Sequence, residues 1–426
     1  MLGALIGDTV GSIYESRSRN LKTTNFPLFS KGSHFTDDSV TTIAVADWLL
    51  HDSTRSQQGL EESLVKWGHK YPHAGYGGAF KRWLFQPEVL LTMQNGYEET
   101  MKGIPEGTRH PYNSFGNGSA MRASACGWLA QSIEEALDLG RRSAMITHNH
   151  PEGIKGAQAV AAAIYLARTG STKEEIRPYL EETFGYDLSR KCDDIRPAYH
   201  FDVSCQGTLP AALAGFFDSH DFASAVRLAV SLGGDSDTIA CITGGIAEAF
   251  YREIPSTIVG EMHHRLPKEF WTIITEVYTA VSDNHCNSKI PDVTKAVCLW
   301  SRTTPARISR LQPDELFVFG SNARGRHYGG AAAFAVKRFG AIMGQGEGLQ
   351  GRCYAIPTME GMENIRAAVD RFIVFAQEHP ELTFLVTPVG CGIAGYTPED
   401  IAPLFAAAKT LDNVHLPEPF WKYIAE

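Results

Sequence analysis

A chain of 426 residues exceeds one ordinary core and, at about 150 residues per domain, has room for two or three. Hydrophobic residues at 43% and charged residues at 20% exclude a mainly disordered chain. With 39 Lys and Arg against 48 Asp and Glu the net charge is −9, so no basic surplus recommends general nucleic-acid binding.

The chain opens Met1-Leu-Gly-Ala-Leu-Ile-Gly-Asp8, with no positive n-region, which argues against a secretory signal. Residues 1–300 then read as helix after helix. Val40, Ile43, Ala44 and Trp48 fall at helical spacing. Ala157–Arg168 is alanine-rich and closes at Gly170, a usual helix stop. Its apolar stretch, Ala157–Ala167, is too short for a membrane span, which needs about 20 residues. Phe222–Leu232 ends at Gly233-Gly234, and Ile239–Tyr251 continues helical towards Pro255. Ser301–Pro313 is polar, basic and holds two prolines; it reads as a linker between a domain at 1–300 and another at 314–426. Beyond it the pattern switches. Glu315–Gly320, Cys353–Pro357 and Leu382–Pro388 read as strands, Ala331–Phe339 and Asn364–Glu378 as helices, together an α/β unit. Eight cysteines, at 126, 192, 205, 241, 286, 298, 353 and 391, form no C-x-x-C pair. That spacing fits reduced, mostly buried thiols in a cytoplasmic protein.

Two acidic segments carry chemistry. Thr36-Asp37-Asp38-Ser39 and Gly233-Gly234-Asp235-Ser236-Asp237-Thr238 each place carboxylates and a hydroxyl before a helical run. Helix capping, worth about 1 kcal/mol, explains one side chain of each. It does not explain two acids and a threonine. Adjacent carboxylates repel unless a cation sits among them. Hard oxygen ligands select Mg²⁺, Mn²⁺ or Ca²⁺ over zinc. If the segments meet in the fold, their carboxylates and threonines could hold two cations about 3.5–4 Å apart.

These segments, with Gly3-x-x-x-Gly7-Asp8-x-x-Gly11-x-x-x-Glu15 and Gly116-Asn117-Gly118-Ser119-Ala120-Met121-Arg122, resemble the ADP-ribosylglycohydrolases across most of residues 1–300. Ser39 stands where threonine is commoner in that family. The resemblance implies an all-α N-terminal domain. It implies two Mg²⁺ ions, or Mn²⁺, held by Thr36, Asp37, Asp38, Asp235, Asp237 and Thr238. Catalytic roles fall to Glu15, Asp37 and Asp38, and substrate contacts to Gly116, Asn117, Gly118 and Ser119. From Thr147-His148-Asn149-His150 it implies a histidine contact, with His150 preferred and His148 an equal competitor. Tyr71–Phe80, rich in aromatics and glycine, reads as a pocket wall, a lid or core packing.

In the smaller C-terminal domain, Gly320-Ser321-Asn322 and Gly390–Tyr396 follow strands and are similar to the ligand loops of the macro domain, an α/β module that binds ADP-ribose. A second ADP-ribose site would then involve Ser321, Asn322, Gly392, Ile393, Ala394, Gly395 and Tyr396. The expected reaction is removal of ADP-ribose from a modified protein side chain, foremost arginine, by attack of metal-bound water at the anomeric carbon. Two other readings stand beside it. One is an immunity protein that occludes an ADP-ribosyltransferase toxin; the other is a non-catalytic ADP-ribose-binding protein.

Overall fold

The computed structural model describes residues 1–15, 20–90, 109–284, 302–305 and 307–424. The chain divides into two compact units, Met1–Pro255 with His264–Thr294, and Ser256–His263 with Lys295–Glu426.

The described part of the first unit is helical, as expected; its one β pairing is an isolated bridge between Gly116 and Ser204. In chain order the helices are α1 (Leu2–Gly11), α2 (Asp37–His51), α3 (Gln57–Lys70), α4 (Gly78–Leu90), α5 (Gly118–Met121), α6 (Ser124–Leu129) and α7 (Ile133–Met145). They continue as α8 (Pro151–Thr169), α9 (Lys173–Phe184), α10 (Cys192–Ile195), α11 (Cys205–Asp218), α12 (Phe222–Ser231) and α13 (Ser236–Tyr251). Helix α14 (Ser256–His263) belongs to the second unit and α15 (Lys268–Asn284) to the first.

Helix α1 is central: all ten of its residues are buried. Gly3, Gly7 and Gly11 recur every four residues and so line one face. That face lies on α13, backbone against backbone. A Cβ at Gly7 would come 1.9 Å from Ala240 O, and one at Gly3 2.3 Å from Gly244 O. Gly244 completes the seam from the other side, its Cβ position 2.2 Å from Gly3 O. Helix α2 starts where Thr36 leaves the extended region and its hydroxyl accepts from Asp38 N. Helix α8 ends, as expected, on a left-handed Gly170. No helix of the described residues is long and apolar enough to cross a membrane. Six cysteines are free thiols and five of them are buried; Cys286 and Cys298 lie outside the described residues.

The second unit is the expected α/β layer, a six-stranded sheet in the order β1-β6-β5-β2-β4-β3. Its strands are β1 (Thr303–Thr304), β2 (Glu315–Ser321), β3 (Gly348–Gln350), β4 (Cys353–Pro357), β5 (Thr383–Val386) and β6 (Val414–Pro417). Pairings are parallel except β3 with β4. Parallel strands are covered on both faces, which is why β2 and β4 read as unbroken apolar runs. On one face Phe317, Phe319 and Cys353 pack with Ala335 and Phe339 of α16 (Gly330–Phe339). On the other, Tyr354 and Phe384 meet Phe372 of α17 (Met362–Glu378). Helix α18 (Pro398–Ile401), a 3-10 turn (Ala402–Thr410) and α19 (Glu418–Ile424) complete the unit.

Two boundary expectations need correction. The segment 301–313 is not a plain linker, although Ser301 and Ala306 lie outside the described residues. Thr303–Thr304 is an edge strand paired with β6, and the buried Arg302 guanidinium donates to Ala408 O and Lys409 O. A two-residue strand has no alternation to read, so only its pairing reveals it. Helix α14, assigned by position to 1–300, packs instead on α19.

Candidate metal centre and ligand cleft

The first turns of α2 and α13 meet the C-terminal half of α1. The glycine seam sets the position of Asp8, a carboxylate in an otherwise apolar, glycine-spaced helix. Asp8 accepts from Thr36 N at 2.8 Å, Thr36 Oγ1 at 2.7 Å, Ser39 N at 3.1 Å and the Ser39 hydroxyl. Ser39 therefore supplies the hydroxyl that a threonine would. Gly233 and Gly234 both adopt positive φ, 72° and 71°, which glycine alone adopts freely, and they turn the chain so that Asp235 and Asp237 face inward.

Asp8, Asp38 and Asp237 each offer one oxygen within 4.8 Å of the others, and so do Glu15, Asp235 and Asp237. Asp237 is common to both groups. Asn117 Nδ2 donates to Asp235 Oδ2 at 2.6 Å, and Thr238 Oγ1 to Asp38 Oδ2 at 3.3 Å. The other oxygen, Asp38 Oδ1, is buried with no hydrogen-bond partner among the described residues. Among the same residues no Lys or Arg forms an ion pair with Asp8, Asp38, Asp235 or Asp237. A buried, unpaired carboxylate oxygen among further carboxylates fits a bound hard cation, and an all-oxygen donor set fits Mg²⁺ or Mn²⁺.

Burial pushes the carboxyls of Asp8, Asp37, Asp38, Asp235 and Asp237 up from the usual range. For Asp37, burial and then the charge of Asp8 raise it to about 8. Asp235 rises to about 6, burial outweighing the Asn117 hydrogen bond that favours its ionised form. Asp8 moves upward through burial; Asp38 and Asp237 move well upward through burial and then neighbouring aspartates. These groups hold protons more tightly folded than unfolded. Their stabilising contribution is therefore complete below the unfolded value near pH 4 and is lost as pH rises through about 6 and 8. In a chelator, the melting temperature should fall across that window. Saturating Mg²⁺ should restore it by roughly 5–10 °C at pH 8 and by much less at pH 5.5. Thermal melts with EDTA or Mg²⁺ check this, and an equal Mg²⁺ effect at both pH values contradicts it.

The acids form the floor of a cleft of about 390 Å³, within the range of small-molecule sites. Glu15, Asp37, Asp38, Asp235, Asp237 and Thr238 all line it. Gly116, Asn117 and Gly118 form one wall, tied down by Asn117 N donating to Val203 O at 2.7 Å. Neither glycine has positive φ; each is needed for closeness, since a Cβ at Gly118 would lie 3.1 Å from His148 Nε2. Gly75, Gly77, Gly78 and Phe80 form another wall, so the aromatic segment is divided. Tyr71 packs into the core with Phe35, Trp67 and Phe270, while Phe80 faces the cleft.

Three residues of the expected set do not line the cleft. His150 does not line the cleft; it caps α8, its Nδ1 accepting from Glu152 N, while buried His148 lines the wall. Ser119 turns away and donates to Gly153 O at 2.7 Å, joining α5 to α8. Thr36 holds Asp8 rather than facing the cleft. Asp8 and Arg122, which the sequence reading left without roles, are brought to this centre.

In the second unit, Ser321 Oγ is buried and 2.8 Å from His327 Nε2. Asn322 closes its own loop on Arg326, accepting from its N and donating to its O. Gly390–Tyr396 is open: Ile393 is 81% exposed and nothing lies within 4 Å of a Cβ at Gly392 or Gly395.

The family model for ADP-ribosylglycohydrolase matches residues 1–286. A curated relative from Pseudomonas putida, "ADP-ribosylarginine hydrolase Tri1", is 26% identical over 269 residues, which is 59% of this chain and 69% of the relative. "ADP-ribosylhydrolase ARH3" of Bos taurus is 24% identical over 315 residues, 59% of this chain and 83% of that one. Among solved structures, a chain of an "ADP-ribosylglycohydrolase-related protein complex" aligns at TM-score 0.44 and 22% identity, covering 66% of this chain and 93% of its own.

Proposed function

The chain belongs to the ADP-ribosylglycohydrolase family over residues 1–286, and from that premise we propose that it is a metal-dependent hydrolase releasing ADP-ribose from a modified arginine side chain. The observation that carries this reading is the pair of oxygen triads sharing Asp237 at the floor of the cleft. The choice of arginine is supported by the name of the Pseudomonas putida relative. Residues Asp38, Asp235 and Asp237, with Asp8 and Glu15, would hold the cations, and Asp37 and Thr238 would border them. Bound cations would supply Lewis acidity to ribose hydroxyls and to water.

The chain's own groups orient and carry protons. Asn117 fixes Asp235, and the Thr36 cap and Ser39 at the start of α2 fix Asp8 through four donors. Water adds its oxygen to the anomeric carbon as the bond to the guanidine nitrogen breaks, through an oxocarbenium-like state. One of its protons stays on the new anomeric hydroxyl, and the other is relayed by a carboxylate to the leaving guanidine nitrogen. Asp37 belongs to neither triad and faces the cleft, which suits it to that proton transfer. The backbone of Gly116–Gly118 and His148 would contact the ADP-ribose. Peptides ADP-ribosylated on arginine, serine or glutamate, followed by mass spectrometry with and without EDTA, test this. Arginine peptides should be cleaved and EDTA should stop it. Full turnover in EDTA removes the metal from the reading, and no turnover of any peptide removes the hydrolase.

For the second unit we propose a macro-domain-like ADP-ribose site at loops 321–329 and 390–396. Strands β2 and β5 are adjacent and parallel, and the chain leaves β2 towards β4 but β5 towards β6. Such a switch point opens a crevice at the carboxyl ends. There a Cβ at Gly320 would lie 3.5 Å from Gly390 N.

A further inference from the structure

Arg122, Thr147 and His148, beside the cleft of the first unit, form a chain of hydrogen bonds. Arg122 is only 1% exposed; its Nη2 donates to Ser143 O at 2.6 Å and to Thr147 Oγ1 at 2.8 Å. A guanidinium has no lone pair, so Thr147 Oγ1 accepts. Among the described residues the hydrogen-bond partners of Thr147 Oγ1 are Arg122 Nη2 and His148 Nδ1. The guanidinium cannot accept, so the one partner able to take the Thr147 hydroxyl proton is His148 Nδ1, 2.7 Å away. Burial, and then the Arg122 charge, disfavour the imidazolium. The neutral ring therefore carries its one proton on Nε2. That atom faces the glycine wall, 3.6 Å from a Cβ built at Gly116 and 3.1 Å from one at Gly118. It has no hydrogen-bond partner among the described residues, and His148 lines the cleft.

We propose that Arg122 is a positioning residue: acting through Thr147, it locks His148 as the Nε2–H tautomer, so that a neutral donor meets an acceptor oxygen of the bound ligand. That the oxygen belongs to the diphosphate or ribose of ADP-ribose rests on the function proposed above; the tautomer does not. The glycines of the wall leave the space in which that oxygen sits. Lysine at 122 would preserve an obligate donor to Thr147. Glutamine would offer an acceptor, release the Thr147 proton and let His148 place its own proton on Nδ1.

Imidazole ¹⁵N spectra of the ligand-free protein, with His148 identified by loss of its signals in His148→Asn, read the tautomer directly. The wild type and Arg122→Lys should show protonated Nε2 and bare Nδ1, and Arg122→Gln a mixture. ADP-ribose binding, by calorimetry, should weaken roughly tenfold in Arg122→Gln and less than about threefold in Arg122→Lys. A wild-type ring protonated on Nδ1 overturns the proposal, as does an Arg122→Gln ring identical to wild type. Should Arg122→Gln fail to fold, the wild-type spectrum still decides. A wild type with the Nε2–H ring that binds no ADP-ribose overturns the ligand reading while supporting the relay.

Discussion

Asp237→Asn should cut the release of ADP-ribose from arginine-modified protein by about 10³-fold while leaving the protein folded. Asp237 alone belongs to both oxygen triads, so one substitution weakens both cation positions together. The amide is isosteric and its oxygen can still accept from Thr238 N, the contact that now fixes the carboxylate at 2.9 Å. In chelator the variant should melt no lower than wild type, and higher above neutral pH, because one member of a repelling cluster has been removed. The stabilisation by Mg²⁺ should shrink in parallel with activity. Steady-state kinetics and thermal melts on the same preparations check both halves. A variant that keeps wild-type turnover leaves the shared carboxylate without the role given to it.

The second large effect should come from a methyl group remote from any ligand. Gly7→Ala should destabilise the protein by about 3 kcal/mol or more, a drop in Tm of roughly 6–12 °C. The added Cβ would lie 1.9 Å from Ala240 O and 2.3 Å from its carbonyl carbon. Both are backbone atoms of α13, so neither can swing aside, and α1 must move away from α13. Asp8 follows Gly7 in sequence and Asp237 lies in the first turn of α13, so the same shift separates two members of one triad. Activity should fall further than the loss of folded protein explains. Gly32→Ala is the control: Gly32 is exposed, its nearest neighbour is 3.5 Å away, and the change should stay within about 0.5 kcal/mol. Equal melting of the two variants contradicts the seam.

The contrast between Asp37-Asp38 and Asp8 shows what the linear chain discloses. Two acids and a threonine before a helix exceed what a cap requires, so Thr36–Ser39 and Gly233–Thr238 announce themselves. Asp8 is a single acid in a helix of small and apolar residues. Its importance comes from four donors on Thr36 and Ser39, at the start of α2, and from a seam with α13, and neither is local in sequence. The Gly3, Gly7, Gly11 spacing was the available signal that this face approaches another backbone. His148 and His150 are two residues apart and chemically alike; capping of α8 takes one and the cleft the other, a division set by where α8 begins. In the second unit β2, β4 and β5 were legible because burial on both faces makes them uniformly apolar. Strands β1 and β3, of two and three residues, are too short to show a period.

Thr36 and Asp8 are 28 positions apart, and Thr238 and Asp38 are 200 apart. Contacts of that span close late, after nearby segments have ordered. Nascent or half-folded chains thus lack the assembled acidic cluster, and with the metal-dependent function proposed above, ion uptake during refolding would be a clock for the final docking event.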